Sequence, residues 1–509
     1  MEPLEYFRLD NKVSFKGFWS LNFDNLINNC GEYVPGILQI DKGEIYLDLN
    51  GDFNETNSDS INFYDRVFGY LNNGIAIILE KCFNINRVNS CPGYITSKYK
   101  ANFLYSLSID INNINDINDI NLIKNSKIKI NQVNFSVNYF CDFFNINSLI
   151  IENDDLKQIT TISYNDNFYR EYKFSLLEKN YFISLRKSIL RYHSSDNNFK
   201  IESIPYMSIY TNDLERKSPE EFLDLANWTM SLYDFLLQTS SVYNFFEFLN
   251  KEENNTIEHQ RFENKTLNYT GRVVFPHKVL KFKESKIPVL KFSDIISDYD
   301  KLIDKWFQNR IKLEYIIDLY YQNIESNFSI KTKLVNKIQM LETYYDNFII
   351  NKREEVSERQ NKINNVVTEI KIFLEENNIE IPIKEEIISM LDSNRNKIRA
   401  NKIHLREKLT ILLKSLPQEI KEHLYTIDPN FNCQDDSIEK YAEILKNTRN
   451  SYIHGSIKER KITIFNTLNE IRAANLILDY TIYYLVLRIL YVDEQKILKL
   501  TLSNLIQNN

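Results

Sequence analysis

The segment RNSYIH at residues 449–454 combines side chains that can act on a phosphate ester. Histidine has an unperturbed pKa of roughly 6.5, so His454 can accept or donate a proton near neutrality. Arg449 offers a planar guanidinium that can bind phosphate oxygens as negative charge builds on them. Asn450 and His454 are four residues apart and share one face of a helix, so the amide can orient the imidazole. We predict that Arg449, Asn450 and His454 are catalytic.

Similar spacing occurs in three other Arg/His pairs, so spacing alone does not identify a site. These pairs are Arg186/His193, Arg272/His277 and Arg399/His404. The first lies in a predicted strand, and the second encloses a proline. The third, in a predicted helix that continues past it, has no polar residue after its arginine. Only the segment at 449–454 is followed by a glycine, Gly455, which can end the helix and leave the histidine accessible.

Basic residues flank this segment, although the whole chain has a formal net charge of -7. Glu459 is the single acid among them. We expect a local basic patch that binds a phosphate backbone, formed by Lys446, Lys458, Arg460 and Lys461. The alternative interpretation is a surface arginine and a helix-capping histidine beside a solvated run of charges.

Motifs of several other chemistries are missing from the sequence. The glycines of segment 31–36 have the spacing of a phosphate-binding loop, but Ile37 follows where Lys-Ser/Thr is required. Neither GxGxxG nor GxSxG occurs. The six histidines form no HExxH or HxH pair, so we expect no metal site and no cofactor.

Several features predict a cytoplasmic protein without a membrane partner. The N-terminus lacks the basic start and apolar run of a signal peptide, and the five cysteines form no CxxC pair. Segment 473–492 is long enough to cross a bilayer, but Asp479 and Arg488 would each cost roughly 3 kcal/mol near its centre. We expect this segment to be a buried helix of a bundle.

Chain length and glycine usage predict two domains. A chain of 509 residues is too long to fold around a single hydrophobic core. Eight of the ten glycines lie between Gly17 and Gly93, and only Gly455 follows Gly271. We therefore predict an α+β protein, with a β-rich region at 1–292 and an α-helical bundle at 293–509.

Local patterns predict the elements within each region. Alternation at 44–49 is typical of a strand with one buried face, and Ser218 before Pro219 is typical of a helix start. Strands are predicted at 36–40, 44–49, 74–79, 101–110, 126–141 and 168–190, with extended structure at 273–275 and 289–292. A loop without assigned function is predicted at 111–125. Helices are predicted at 218–238, 293–320, 331–350, 355–377, 384–415, 437–454 and 461–492.

The segment from Arg449 to Gly455, in a late helix of a bundle, resembles the signature of the HEPN superfamily, in which a polar residue commonly follows the arginine. The order of shorter motifs resembles ApeA-type anti-phage proteins, in which a β-rich domain precedes a HEPN domain. These motifs lie at 15–19, 34–38, 218–220, 305–307, 341–342 and 405–409. Ser456 stands where a toxin subgroup has tyrosine, and no CxxC pair suggests an accessory zinc.

This resemblance implies a metal-independent endoribonuclease of anti-phage defence by abortive infection, with tRNA as a candidate substrate. The 2′-hydroxyl would attack the adjacent phosphorus and leave 2′,3′-cyclic phosphate and 5′-hydroxyl ends. His454 would transfer protons, and Arg449 would stabilise the phosphate. Asn450 would orient His454 or the phosphate by hydrogen bonding. Glu342 is a candidate supporting residue, with a structural helix acid as the alternative.

Helix geometry and the resemblance both favour a homodimer. Residues five apart diverge by about 140° on a helix, so Arg449 and His454 do not point together within one chain. Two copies across a twofold axis could assemble a site from both. By family analogy, the N-terminal region would sense a phage component. The competing hypotheses are a non-catalytic RNA- or protein-binding module and a structural helical adaptor.

Overall fold

The computed structural model describes two compact units, Met1–Phe307 and Gln308–Asn509. The described residues are 13–27, 33–41, 44–53, 63–72, 74–90, 94–107, 129–137, 139–144, 149–154, 159–164, 170–176, 179–193, 199–211, 217–238, 241, 243–249, 269–273, 292–325, 327–349, 365–366, 368–374, 376–377, 383, 385–389, 403–454, 463–490 and 493–498. The predicted loop at 111–125 lies outside them.

Six antiparallel strands at the start of the first unit close into a ring. They are β1 (Val13–Ser20), β2 (Val34–Asp41), β3 (Glu44–Leu49), β4 (Phe63–Leu71), β5 (Ala76–Ser90) and β6 (Tyr94–Leu107). Their order is β6-β3-β2-β1-β4-β5, and β5 pairs again with β6. Alternate side chains fill the interior, among them Trp19, Leu47 and Ile77. Glycine is required at Gly69, where a Cβ would lie 2.2 Å from the Trp19 ring.

The remaining strands extend the same sheet from β6. They are β7 (Gln132–Val137), β10 (Arg170–Leu176), β11 (Lys179–His193), β12 (Phe199–Thr211), β13 (Tyr243–Leu249) and β14 (Tyr269–Val273), in the order β14-β13-β7-β12-β11-β10. A separate hairpin consists of β8 (Leu149–Asp154) and β9 (Ile159–Tyr164). The short helices of this region are α1 (Phe23–Ile27) and α2 (Phe140–Phe144).

The predicted helix at 218–238 is confirmed as α3 (Pro219–Leu237), which packs on β7 and β12. Two short helices follow later in the unit, α4 (Phe292–Ile295) and α5 (Tyr299–Gln308). They belong to the first unit because their apolar side chains pack within it. Trp306 stacks on Trp228 with 4.8 Å between ring centroids, and Phe307 stacks on Phe174 at 3.9 Å.

The first compact unit ends at Phe307, whereas the predicted domain boundary is at 292/293. The two boundaries differ by 15 residues, the difference between 307 and 292. The periodicity of segment 293–307 shows that one helix face is buried. It does not show which part of the chain covers that face, and here the partners are aromatic residues of the first unit.

The second unit is a bundle of helices around α7. It consists of α6 (Arg310–Glu325), α7 (Ile330–Tyr344), α8 (Leu405–Lys414), α9 (Gln418–Ile427), α10 (Asp435–His454) and α11 (Leu468–Ile489), with a π-helical turn at Tyr345–Ile349. Helix α7 packs against α6, α8, α10 and α11, while α8 packs on α10 and α9 on α11. The predicted α+β fold class is thus confirmed. In the part of the chain that the structure describes, every helix is too short or too polar to cross a bilayer.

Several element boundaries differ from the sequence prediction. Helix α8 begins at Leu405, since His404 has an extended conformation with ψ of 147°. Helix α11 begins at Leu468, not 461, because Thr467 and Glu470 form a capping box there. Phe292 is helical, which corrects the extended structure predicted for this residue, and the rest of that prediction, at 289–291, lies outside the described residues. Elements that were not predicted are strands β1, β4, β8, β9, β12 and β13 and helices α1, α2 and α9. The parts of the predicted helices at 355–364 and 390–402 lie outside the described residues.

Candidate active site

Helix α10 carries the predicted catalytic segment and is fixed in rotation by its buried face. Thr448 is fully buried, and its hydroxyl accepts a hydrogen bond of 3.0 Å from the backbone N–H of Phe465. The Tyr452 hydroxyl donates to the Phe465 carbonyl at 3.2 Å. The Phe465 ring packs against Tyr441, with 5.5 Å between centroids. These contacts hold the segment before α11 against α10, on which Arg449 faces Glu342 of α7 and lines a groove with residues of α8.

The Arg449 guanidinium is recessed but retains donors for a ligand. Its side chain is 25% exposed. One terminal nitrogen, Nη1, donates to Asn450 Oδ1 at 3.2 Å, and the other, Nη2, lies 3.8 Å from Glu342 Oε2. Nε is buried and has no hydrogen-bond partner among the described residues. A phosphate would therefore have to bind the two terminal nitrogens, which carry four N–H groups between them and have further donors besides the one given to Asn450.

Glu342, the predicted supporting residue, lies in α7 beside Arg449 and also contacts a buried lysine. Lys408 of α8 is only 3% exposed, and its Nζ lies 2.8 Å from Asp346 and 3.5 Å from Glu342. The four side chains therefore alternate in charge, from Asp346 through Lys408 and Glu342 to Arg449. A buried cation needs such partners, so this arrangement also joins α7 to α8.

His454 is the last described residue of α10 and lies about one helical turn beyond Asn450. Its backbone is helical, and its side chain lies outside the described part of the chain. Four residues of helix correspond to about 6 Å along the axis, so the backbones of Asn450 and His454 are close. Of the predicted phosphate-binding residues, Lys446 is described, whereas Lys458, Arg460 and Lys461 are outside the described residues.

A groove of about 1020 Å³ lies between α8 and α10 and ends at Arg449 and Asn450. Side chains of both charges line it, including Arg406, Glu407, Glu439, Glu443 and Lys446. The charges are balanced at this surface. Sequence reasoning missed its acids, although Glu439, Glu443, Lys446 and Asn450 follow one another at helical spacings of four, three and four residues.

Lys446 has an acidic partner within the groove. Its Nζ lies 2.7 Å from Glu443, and this hydrogen bond lowers the pKa of the Glu443 carboxyl. The second cation, Arg406, lies 3.4 Å from Glu439 and 3.5 Å from Glu443. A ligand phosphate would have to compete with these carboxylates for both cations.

The other Arg/His pairs lie in different settings. Arg186 and His193 are in strand β11, as predicted, and Arg272 is in β14. His404 is the extended residue before α8, whereas Arg399 is outside the described residues. Within the described ranges, no group of three or more His, Cys, Asp and Glu side chains is arranged to hold a metal ion.

Comparisons with known families match both units. Residues 14–306 match the family model described as ApeA N-terminal domain 1. Residues 335–496 match the model described as Apea-like HEPN. No curated protein and no solved structure matches the chain. The first match covers more than half of the chain, and the second contains Glu342, Lys408 and the whole of α10.

Proposed function

Because the chain belongs to the ApeA-type family of HEPN proteins, we propose that it is an endoribonuclease that needs no metal and acts in anti-phage defence. HEPN domains are generally ribonucleases, which supports an RNA-related role. The observation that carries the proposal is the environment of Arg449. Its terminal nitrogens keep donors available at the end of an open groove, next to Asn450 and about one turn before His454.

The proposed reaction uses a nucleophile that RNA itself supplies. A basic imidazole at His454 removes the proton of a 2′-hydroxyl, whose oxygen attacks the adjacent phosphorus. The new P–O2′ bond forms as the bond from phosphorus to the 5′-oxygen breaks, and an imidazolium donates the proton that this oxygen needs. The products are a 2′,3′-cyclic phosphate and a 5′-hydroxyl. General acid–base catalysis of this kind contributes about 10²–10⁴ in rate.

Arg449 and its neighbours stabilise the charge that develops on the phosphate. The guanidinium binds the non-bridging oxygens, and Asn450 orients Arg449 through their 3.2 Å hydrogen bond. Glu342 restricts the guanidinium from its other side. We further propose a homodimer in which each site takes groups from both chains, since Arg449 and His454 diverge on one helix.

The test uses purified full-length protein and total cellular RNA, incubated with EDTA. Wild type should make discrete cuts that end in cyclic phosphate, and sequencing of the ends would identify the substrate, with tRNA among the candidates. His454→Ala should make none, whereas the control His423→Gln on α9 should cut as wild type does. Cutting that persists in His454→Ala, or that EDTA abolishes in wild type, would refute this mechanism. RNA binding without cutting, in the presence of infected-cell extract, would favour a binding module.

The β-rich unit is proposed to sense a phage component and thereby to control the nuclease. Phages that escape protection should carry changes in one gene whose product binds the full-length protein. Escape changes that never affect binding to the protein would argue against a direct sensor.

A further inference from the structure

Glu443 occupies a central position among the charges of the groove between α8 and α10. Its two carboxylate oxygens face different cations, Lys446 on the same helix and Arg406 on α8. Both cations reach solvent, since their side chains are 30% and 46% exposed. Asn450 lies on the same face of α10, one turn beyond Lys446, so the two cations lie along an open path to the candidate active site.

We propose that Arg406 is an RNA-phosphate contact of this groove, and that Glu443 limits RNA binding by pairing with both Arg406 and Lys446. The inference rests on the proposed function, because it takes RNA as the ligand of the groove. Without Glu443, Lys446 would lose this carboxylate, and Arg406 would keep one of its two carboxylates, Glu439, so both cations would bind the phosphates of an RNA strand more readily. With it, each phosphate contact requires the exchange of an existing ion pair and brings the phosphate near a carboxylate.

The salt dependence of RNA binding gives this idea a quantitative form. Each phosphate contact made by a single strand adds about 0.7 to the slope of log affinity against log salt concentration. Loss of Glu443 should therefore steepen the slope by about 0.7 through Lys446, and by about 1.4 where the RNA strand also displaces Arg406 from Glu439. The loss of one nearby negative charge should also tighten binding roughly fivefold at low salt.

The experiment measures binding of a labelled single-stranded oligoribonucleotide by fluorescence anisotropy over a series of KCl concentrations. All variants are full-length and carry His454→Ala, so that the RNA remains intact. Glu443→Gln is compared with Glu314→Gln, which removes the same charge from an exposed position on α6, away from the groove. Arg406→Ala and Arg406→Lys are then added to Glu443→Gln. Thermal melting checks that each variant is folded.

Tighter binding and a steeper slope for Glu443→Gln alone would support the proposal. Adding Arg406→Ala should reverse much of the gain in RNA affinity, whereas adding Arg406→Lys should keep most of that gain. Equal RNA affinities for Glu443→Gln and Glu314→Gln would overturn the inference. An RNA affinity that Arg406→Ala leaves unchanged would overturn it too. If no variant binds RNA, the inference about Arg406 and Glu443 fails, and the proposed function fails with it when the wild type also leaves RNA uncut. Cleavage by the wild type, tested separately, distinguishes these two failures.

Discussion

Glu342→Gln is the substitution that most directly tests how Arg449 is held. It keeps the shape of the side chain and removes the charge that lies 3.8 Å from Arg449 Nη2. Both side chains are partly exposed, at 25% and 31%, so the ion pair contributes about 1 kcal/mol. If that contribution serves to orient the guanidinium, its loss should lower the rate of bond cleavage roughly fivefold. RNA binding should not weaken, because a negative charge near the phosphate is removed as well.

Asp346→Asn provides a matched control for this prediction. Asp346 also pairs with Lys408, at 2.8 Å, so both variants take one carboxylate from the same buried lysine. Only Glu342 also contacts Arg449. The assay is single-turnover cleavage of the RNA that wild type cuts, with binding measured separately in a His454→Ala background. Equal rate losses in the two variants would refute the reasoning, because the effect would then come from Lys408 and the packing of α7 on α8.

Three further predictions concern the site and the stability of the units. Arg449→Ala should lower the cleavage rate by about 10²-fold, and Arg449→Lys should recover only part of it, since lysine cannot bind two phosphate oxygens side by side. The backbone N–H groups of Thr467 and Asn466 donate hydrogen bonds to the Glu470 carboxylate and lower its pKa from 4.5. Its stabilisation is therefore present above pH 4.5 and is lost as the pH falls through the lowered value. Thr467→Ala should cost about 1 kcal/mol at pH 7 in thermal unfolding, because the cap on the Glu470 N–H is removed, whereas Glu470→Gln should flatten the loss of stability at low pH. Gly69→Ala should destabilise the strand ring by about 1–3 kcal/mol, because a Cβ would meet the Trp19 ring at 2.2 Å, and limited proteolysis of the first unit should become faster.

Local signals in the sequence predicted those elements whose ends are fixed by local chemistry. The helix at 218–238 is an example, since its first turn is set by the Ser218 hydroxyl, which accepts from the Glu221 N–H, and by a proline. Helix α10 is another, because it was predicted at 437–454 and is described as helical from Asp435 to His454. The family resemblance, read from short motifs in order, is confirmed over both units.

What the sequence did not predict depends on contacts between distant segments. No local pattern indicates that Trp306 stacks on Trp228, which draws α5 into the first unit. Likewise, Lys408 and Glu443 resemble ordinary surface charges of amphipathic helices. Only the packing of α8 against α7 and α10 reveals that one is buried between two carboxylates and that the other neutralises two cations.

The distribution of the site over α7, α8 and α10 has a consequence for synthesis of the chain. Glu342 and Arg449 are 107 residues apart, the difference between 449 and 342, so their contact forms only after nearly the whole chain has been made. The first unit ends at Phe307, which is 142 residues before Arg449. At translation rates of about 5–20 residues per second, these 142 residues take roughly 7–28 s. The β-rich unit thus has time to fold on the ribosome before the proposed nuclease site can form, so a restraint built into that unit would be in place before any cleavage that the site performs.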